Sequence, residues 1–206
     1  HAVFPRKSIL ERKAVGKLGQ TQIIATNIDF GLIVQSVNRD FNLNRLERYL
    51  TICNASKIEP IIVLSKVDLM EQQLLEELMV QVKERIKSVP VFAISNHSQI
   101  GIENLKSKLA NGKTYCLLGS SGVGKSTLIN TLTGTHLMDN PGMREVGITH
   151  NSNALATTFD AIQNLALDCK YNDCTHTNEK GCAVLDAIAN EELDSDTYTN
   201  FMKMEK

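Results

Sequence analysis

The chain lacks the features that would place it in a membrane or in a disulfide-bonded scaffold. No apolar run approaches the roughly 18 residues of a membrane-spanning helix, which predicts a protein without membrane contact. Five cysteines are an odd number and do not suit a complete disulfide framework. A formal net charge of −1 argues against a uniformly basic nucleic-acid-binding protein. Because the chain starts without an initiator methionine or an apolar signal segment, we expect it to be the interior of a longer, cytoplasmic protein.

What is present indicates a folded globular chain. Apolar residues make up 42% and charged residues 22%, a balance that disordered proteins do not have. A length of 206 residues suffices for one ordinary domain and a small appendage. Charge is uneven, with a net +4 in residues 1–20 and a net −4 in residues 186–206. This asymmetry allows a polyanionic partner at one end, although a solvated surface explains the charges equally well.

Strand-like and helical patterns alternate through the first 150 residues. Short apolar runs occur at 31–37, 60–64, 89–94 and 114–118, and helical spacing occurs at 46–53, 74–86 and 102–109. Apolar strands separated by helices predict a doubly wound α/β fold, with a mostly parallel sheet covered on both faces. After about residue 150 only helices are predicted, at 157–167, 183–189 and 197–206. Ser195 or Asp196 is the predicted N-cap of the last one.

A phosphate-binding loop is the most specific motif. The segment 119–126 reads GSSGVGKS and fits G-x-x-x-x-G-K-[ST], between a strand and a helix. Its backbone N–H groups would surround an anion, Lys125 would reach the β- and γ-phosphates, and Ser126 would coordinate Mg²⁺. The predicted nucleotide contacts are Gly119, Ser120, Ser121, Gly122, Val123, Gly124, Lys125, Ser126 and Thr127. The motif leaves a kinase, an ATPase and a GTPase open.

Two further loops are candidates for reading the base. Ser65, Lys66, Val67 and Asp68 follow one predicted strand, and Ser95 and Asn96 follow the next. A carboxylate such as that of Asp68 can accept hydrogen bonds from N1–H and the amine of guanine, whereas adenine offers no such pair of donors. Both loops end strands of one parallel sheet, so they can close a purine pocket together. The alternative for the first loop is a surface turn.

A D-x-x-G motif, Asp139 to Gly142, is the third element. Asp139 would hold Mg²⁺ through a water molecule, and the Gly142 amide would sense the γ-phosphate, although a simple Asn-Pro-Gly turn is the competing interpretation. Only 13 positions separate Ser126 from Asp139. A switch I segment does not fit there, so we predict that it is missing near residues 135–136. Met143 follows Gly142, where many GTPases have a water-orienting glutamine.

A cluster of cysteine and histidine predicts a metal site. Cys169, Cys174, His176 and Cys182 lie within fourteen residues. Three thiolates and one imidazole complete a tetrahedral zinc shell and leave no open catalytic position. The alternative is three buried thiols and an unrelated histidine.

The order of these motifs along the chain is similar to that of a known family. Ordinary GTPases have the phosphate loop first, whereas here it follows both base-reading loops. Together with the metal cluster and residues 5–7, 41–50, 119–127 and 141–145, this order closely resembles the circularly permuted GTPases of the RsgA (YjeQ) family.

The resemblance implies both an architecture and an activity. Residues 1–20 would be the remnant or exit linker of a missing N-terminal OB-fold that contacts ribosomal RNA. Residues 21–150 would form the circularly permuted P-loop GTPase domain, and residues 151–206 a small helical zinc-binding domain. The protein would use GTP, Mg²⁺ and one structural Zn²⁺ in late assembly of the small (30S) ribosomal subunit, and the subunit would stimulate it. A histidine of the missing switch I would orient the attacking water.

Two other readings stay open, and a monomer is expected in each. The first is a guanine-nucleotide-dependent ribosome- or RNA-binding module that does not hydrolyse GTP. The second is a P-loop ATPase or kinase in which residues 65–68 are a mere turn.

Overall fold

The computed structural model describes residues 4–13, 21–38, 41–134 and 157–205. The chain divides into two compact units, residues 1–149 and 150–206. In the first unit the elements are β1 (Ile9–Lys13), β2 (Thr21–Thr26), β3 (Phe30–Ser36), α1 (Leu43–Ala55), β4 (Glu59–Ser65), a 3₁₀ turn (Val67–Leu69), α2 (Gln72–Arg85), β5 (Val91–Ala93), α3 (Ile102–Lys108), β6 (Tyr115–Leu118) and α4 (Lys125–Thr133). In the second they are α5 (Asp160–Ala166), α6 (Ala183–Ala189) and α7 (Ser195–Glu205).

Four parallel strands form the central sheet of the first unit, in the order β5-β4-β3-β6. Alternate side chains of β3 enter two separate apolar clusters. Leu32 and Val34 pack with Leu105 of α3 and Leu128 of α4. Ile33 belongs to the other cluster, which contains residues of α1 and α2. Helices therefore cover both faces of the sheet, which confirms the predicted doubly wound α/β fold.

The strands β1 and β2 form an antiparallel ribbon that the sequence patterns did not predict. Ile9 pairs with Thr26 at one end and Lys13 with Thr21 at the other. Arg12 donates two hydrogen bonds to Gln22 Oε1 across the ribbon, at 3.1 and 2.9 Å. Residues 9–13 therefore pair with residues just beyond position 20, within the first unit.

The second unit has its own apolar core. Phe159 and Phe201 meet edge to face with ring centroids 5.5 Å apart, and Ile162 and Val184 are buried beside them. In the described part of the chain, no helix is long and apolar enough to cross a membrane.

The cap of α7 differs from the predicted one. The Asp194 carboxylate accepts hydrogen bonds from Thr197 N–H at 3.0 Å and from the Thr197 hydroxyl at 2.9 Å. The predicted caps, Ser195 and Asp196, are wrong because both already lie inside the helix. A side-chain oxygen caps a helix by reaching the N–H three residues on, and Asp194 is the residue at that spacing from Thr197.

Candidate functional site

The phosphate loop lies between β6 and α4, where the sequence predicts it. Gly119 approaches the sheet so closely that a Cβ atom would lie 2.2 Å from the Val34 carbonyl oxygen. Gly124 adopts φ +93° at the N-cap of α4 and offers no side chain to the helix. The N-cap residue therefore does not cap α4 with a side chain, and the positive end of the helix dipole favours an anion there.

A buried hydroxyl from β4 orients one peptide of this loop. Ser65 Oγ donates a hydrogen bond to the Val123 carbonyl oxygen at 2.6 Å, and Ser65 is fully buried. The Val123 carbonyl and the Gly124 N–H belong to one planar trans peptide, so they point in opposite directions. By holding the carbonyl, Ser65 also sets the direction of the Gly124 N–H.

Two more side chains act on neighbouring peptides in the same way. The Gly124 carbonyl accepts hydrogen bonds from Leu128 N–H at 2.9 Å and from Asn96 Nδ2 at 3.3 Å, and the two together set the direction of the Lys125 N–H. Lys125 Nζ donates to the carbonyls of Gly119 at 2.9 Å and Ser120 at 2.7 Å. Side chains thus hold several carbonyls of the loop, and the N–H groups of the same peptides point in the opposite direction.

The two loops predicted to read the base are joined to each other as well as to the phosphate loop. Val67 N–H donates to the Ile94 carbonyl at 3.2 Å, which links the end of β4 to the end of β5. Ser95 is fully buried, and its hydroxyl accepts a hydrogen bond from Ser98 N–H at 3.0 Å. Asp68 is exposed, so its carboxylate is accessible to a ligand. The structure therefore brings together three loops that lie far apart in the sequence.

The remaining predicted residues of the nucleotide site divide into two groups. Ser126 and Thr127 lie in the first turn of α4, and Lys66 adopts a left-handed conformation at φ +61° between Ser65 and the 3₁₀ turn. Asp139 and Gly142, together with the predicted deletion near residues 135–136, lie outside the described residues.

The four predicted metal ligands converge in the second unit. The ligand atoms of Cys169, Cys174, His176 and Cys182 all lie within 4.8 Å of one another. Nδ1 of His176 is 3.6 Å from Cys169 Sγ and 3.4 Å from Cys182 Sγ, and these two sulfurs are 3.8 Å apart. Tetrahedral zinc with ordinary bond lengths requires about 3.8 Å between sulfurs and about 3.6 Å between sulfur and nitrogen. The separations among Cys169, His176 and Cys182 therefore fit a zinc ion bound through Nδ1, and Cys174 Sγ lies within 4.8 Å of each of these ligand atoms.

The electrostatic surroundings of Cys169 favour its thiolate. Burial acts to raise the pKa of this thiol, but hydrogen bonds from the backbone of Val184 and Ala183, at the start of α6, leave the pKa below its usual value. Cys53 and Cys116 differ, because burial raises the pKa of the Cys53 thiol strongly and that of Cys116 to about 11. These two are core thiols, as the sequence suggested.

Sequence reasoning missed two residues next to the metal cluster. The Glu179 carboxylate accepts hydrogen bonds from the backbone on both sides of His176, and the Tyr198 hydroxyl donates to the His176 carbonyl at 2.6 Å. The sequence signal for Glu179 was an acidic residue between two predicted metal ligands. No sequence signal pointed to Tyr198, because this residue lies on α7, 22 positions from His176.

Comparison with known proteins identifies relatives along nearly the whole chain. A small ribosomal subunit biogenesis GTPase RsgA 2 from Listeria monocytogenes serotype 4b (strain F2365) is 41% identical over 97% of this chain and 67% of its own length. The chain thus spans about two thirds of that relative. The crystal structure of YjeQ from Thermotoga maritima matches with a TM-score of 0.76 and 26% identity, over 100% of this chain and 76% of that one. The crystal structure of YloQ, described as a circularly permuted GTPase, matches with a TM-score of 0.68 and 26% identity, over 96% and 77% of the two chains.

A difference in length accompanies these matches. RsgA 1 from Listeria innocua serovar 6a (strain ATCC BAA-680 / CLIP 11262) is 39% identical over 100% of this chain and 67% of its own length. The alignment runs over 236 residues, whereas this chain has 206. About 30 residues of the relative therefore have no counterpart here. The difference agrees with a shortened segment between Ser126 and Asp139, although the place of the shortening stays a prediction.

Two family models match the chain. The model described as ABC transporter matches residues 102–175, a stretch that includes the phosphate loop found in many nucleotide-binding proteins. The model described as RsgA GTPase matches residues 3–138, which also include both loops predicted to read the base. On this match and on the 41% identity along nearly its full length, the chain belongs to the RsgA GTPase family.

Proposed function

We propose that this chain binds GTP and hydrolyses it to GDP and phosphate during late assembly of the small ribosomal subunit, and that the subunit stimulates hydrolysis. The observation that carries the proposal is the joining of the phosphate loop to both base-reading loops, through Ser65 and Asn96. A P-loop with an accessible carboxylate at Asp68 suits a guanine nucleotide better than an adenine nucleotide. The relatives' names supply the ribosomal part of the proposal.

The roles of the residues follow from their positions. Backbone N–H groups at the start of α4 would bind the phosphates, and the Lys125 ammonium would move from the loop carbonyls to the β- and γ-phosphates. Ser126, with Asp139 through water, would hold Mg²⁺, which neutralises charge on the phosphates when bound. Contact with ribosomal RNA, a monomeric state and a cytoplasmic location belong to the same proposal.

The second unit would carry one structural zinc ion, held by the ligand set Cys169, Cys174, His176 and Cys182. Support comes from the distances among Cys169, His176 and Cys182, which agree with a tetrahedral shell, and from the position of Cys174 Sγ within 4.8 Å of them. We expect one zinc per chain by elemental analysis, and a loss of that zinc in Cys174→Ser. Purified protein with full nucleotide binding but no zinc would contradict this part alone.

The main test is GTP turnover with and without purified small ribosomal subunits, with ATP as the control nucleotide. We expect turnover that is stimulated by the subunits, restricted to GTP and lost in Lys125→Ala. A matched control is Lys106→Ala, since this lysine lies on α3 and pairs with Glu103 at 2.9 Å. Unchanged turnover with subunits would remove the ribosomal part, and equal turnover of ATP would remove the guanine specificity.

A non-hydrolysing binding module is the second candidate, because Met143 stands where a glutamine orients water in many GTPases. It predicts tight GTP binding without multiple turnover, even when subunits are present. Single-turnover and steady-state measurements on the same preparation separate the two candidates.

A further inference from the structure

The Glu179 carboxylate gathers the backbone of the loop that carries His176. One of its oxygens, Oε1, accepts hydrogen bonds from Thr175 N–H at 2.9 Å and from the Thr175 hydroxyl. The other, Oε2, accepts from Thr177 N–H at 2.9 Å and from Asn178 N–H at 3.0 Å. One side chain therefore holds backbone donors on both sides of His176.

The backbone of His176 has an uncommon conformation. Its φ is +57°, in the left-handed region that residues other than glycine seldom adopt. Its carbonyl oxygen accepts the hydrogen bond from the Tyr198 hydroxyl at 2.6 Å. The backbone of His176 is thus held from two directions, and in this position Nδ1 lies 3.4 Å from Cys182 Sγ.

Glu179 does not act as a ligand in this arrangement. Both of its oxygens are occupied by donors of the loop, and the ligand atoms that converge within the described part of this unit belong to the three cysteines and the histidine. Three sulfurs and one nitrogen complete a tetrahedral shell, so a carboxylate has no position left to fill.

We propose that Glu179 is a positioning residue for the metal site, which keeps the His176 imidazole in its ligating position by holding the backbone on both sides of it. This inference rests on the proposal that the cluster binds zinc, and it is independent of GTP hydrolysis. A residue with a purely structural role would stabilise the second unit without changing how the histidine meets the metal.

The test is cobalt binding by the full chain, because Co²⁺ in a site of three sulfurs and one nitrogen has a visible spectrum that reports its ligands. In Glu179→Gln the side chain keeps its shape, but one oxygen becomes an NH₂ group that faces backbone donors instead of accepting from them. We expect Co²⁺ and Zn²⁺ affinity to fall by about 10- to 100-fold, as it does when supporting contacts of metal ligands are lost. At saturating Co²⁺ the spectrum should shift toward that of His176→Ala.

Two variants make the result interpretable. Asp194→Asn is the matched control, because it makes the same chemical change at a carboxylate that caps α7, and asparagine still caps a helix. It should leave metal affinity and spectrum unchanged. Tyr198→Phe removes only the hydrogen bond to the His176 carbonyl and should weaken metal binding by about fivefold.

The possible outcomes separate the positioning role of Glu179 from the zinc proposal and from the GTPase proposal. Wild-type affinity and spectrum in Glu179→Gln would overturn the positioning role, and so would a loss no greater than that of Asp194→Asn. If Glu179→Gln does not fold, Glu179→Asp decides, because its shorter carboxylate draws back from the donors of Thr175 and Thr177, and an unchanged spectrum and affinity there would overturn the inference. A wild-type chain that binds no Co²⁺ would overturn the zinc proposal, and this one with it, while leaving the GTPase proposal intact.

Discussion

Replacing Ser65 with alanine removes one hydroxyl from the contact between β4 and the phosphate loop. Ser65 has 0% exposure, and its Oγ lies 2.6 Å from the Val123 carbonyl oxygen, so no water can take over the hydrogen bond without rearrangement. We expect the alanine variant to bind GDP more weakly, because the Val123–Gly124 peptide is no longer held with its N–H in one direction.

The magnitude follows from the lost partner. A buried carbonyl that loses a donor costs about 1–3 kcal/mol, and about 1.4 kcal/mol corresponds to a tenfold change in an equilibrium constant. Part of this cost falls on folding and part on binding. We therefore expect the free energy of unfolding to fall by about 0.5–1.5 kcal/mol, and GDP affinity by about 3- to 10-fold, because only some molecules keep the binding-competent loop.

The matched control is Ser36→Ala. Ser36 pairs with Ser65 in the register of β3 and β4 and is also buried, but its hydroxyl donates to Asn38 Oδ1 at 2.9 Å and not to the phosphate loop. Both variants should lose stability in chemical denaturation. Only Ser65→Ala should weaken binding of a fluorescent GDP analogue in the presence of Mg²⁺. Equal nucleotide affinity in the two variants would refute the idea that Ser65 orients the loop.

Three further predictions concern base recognition, pH and a buried ion pair. Asp68→Asn should abolish the preference for GTP over ATP in competition binding while the phosphate loop stays intact; retained preference would mean that another group reads the base. Hydrogen bonding by Thr114 N–H, together with Lys113, holds the pKa of the Asp29 carboxyl below its usual value. The stabilisation by ionised Asp29 is therefore complete above the unfolded-state pKa of about 3.9 and is lost as the pH falls below that value. We expect the difference in unfolding midpoint between wild type and Asp29→Asn to shrink from pH 7 to pH 3. Arg85 Nε lies 2.7 Å from Glu47 Oε1, and Arg85→Met would leave this carboxylate buried without its cation, so we expect a loss of about 3–5 kcal/mol in chemical denaturation; a loss below 1 kcal/mol would show that water reaches Glu47.

The strands and helices that the sequence predicted well are those with strong periodicity. Helix α6 begins and ends where its apolar spacing indicates, and β4 differs from the predicted run by one residue at each end. The β1–β2 ribbon was missed because its strands mix polar and apolar residues, and because their pairing connects segments on both sides of residue 20. A weak local pattern gives no sign of a partner strand.

In the candidate site, too, local sequence motifs were predictable and long-range contacts were not. The phosphate loop was predictable because its function resides in consecutive backbone N–H groups, which need glycine, lysine and serine at fixed spacing. The cluster of three cysteines and one histidine was predictable because the chemistry of a zinc site restricts residue types within a short segment. Ser65 and Asn96 were predicted as base-reading residues, and in the structure their side chains contact the phosphate loop. Their contact with a base stays a prediction.

The sequence by itself determined the fold class, the phosphate-loop motif and the grouping of three cysteines with one histidine, because each depends on periodicity or on residues close together in the chain. Only the tertiary structure decided which side chains hold those motifs in shape. Ser65 meets Val123 across 58 positions, and Tyr198 meets His176 across 22. Such contacts depend on how strands and helices pack, since packing alone determines which buried hydroxyl faces which carbonyl oxygen.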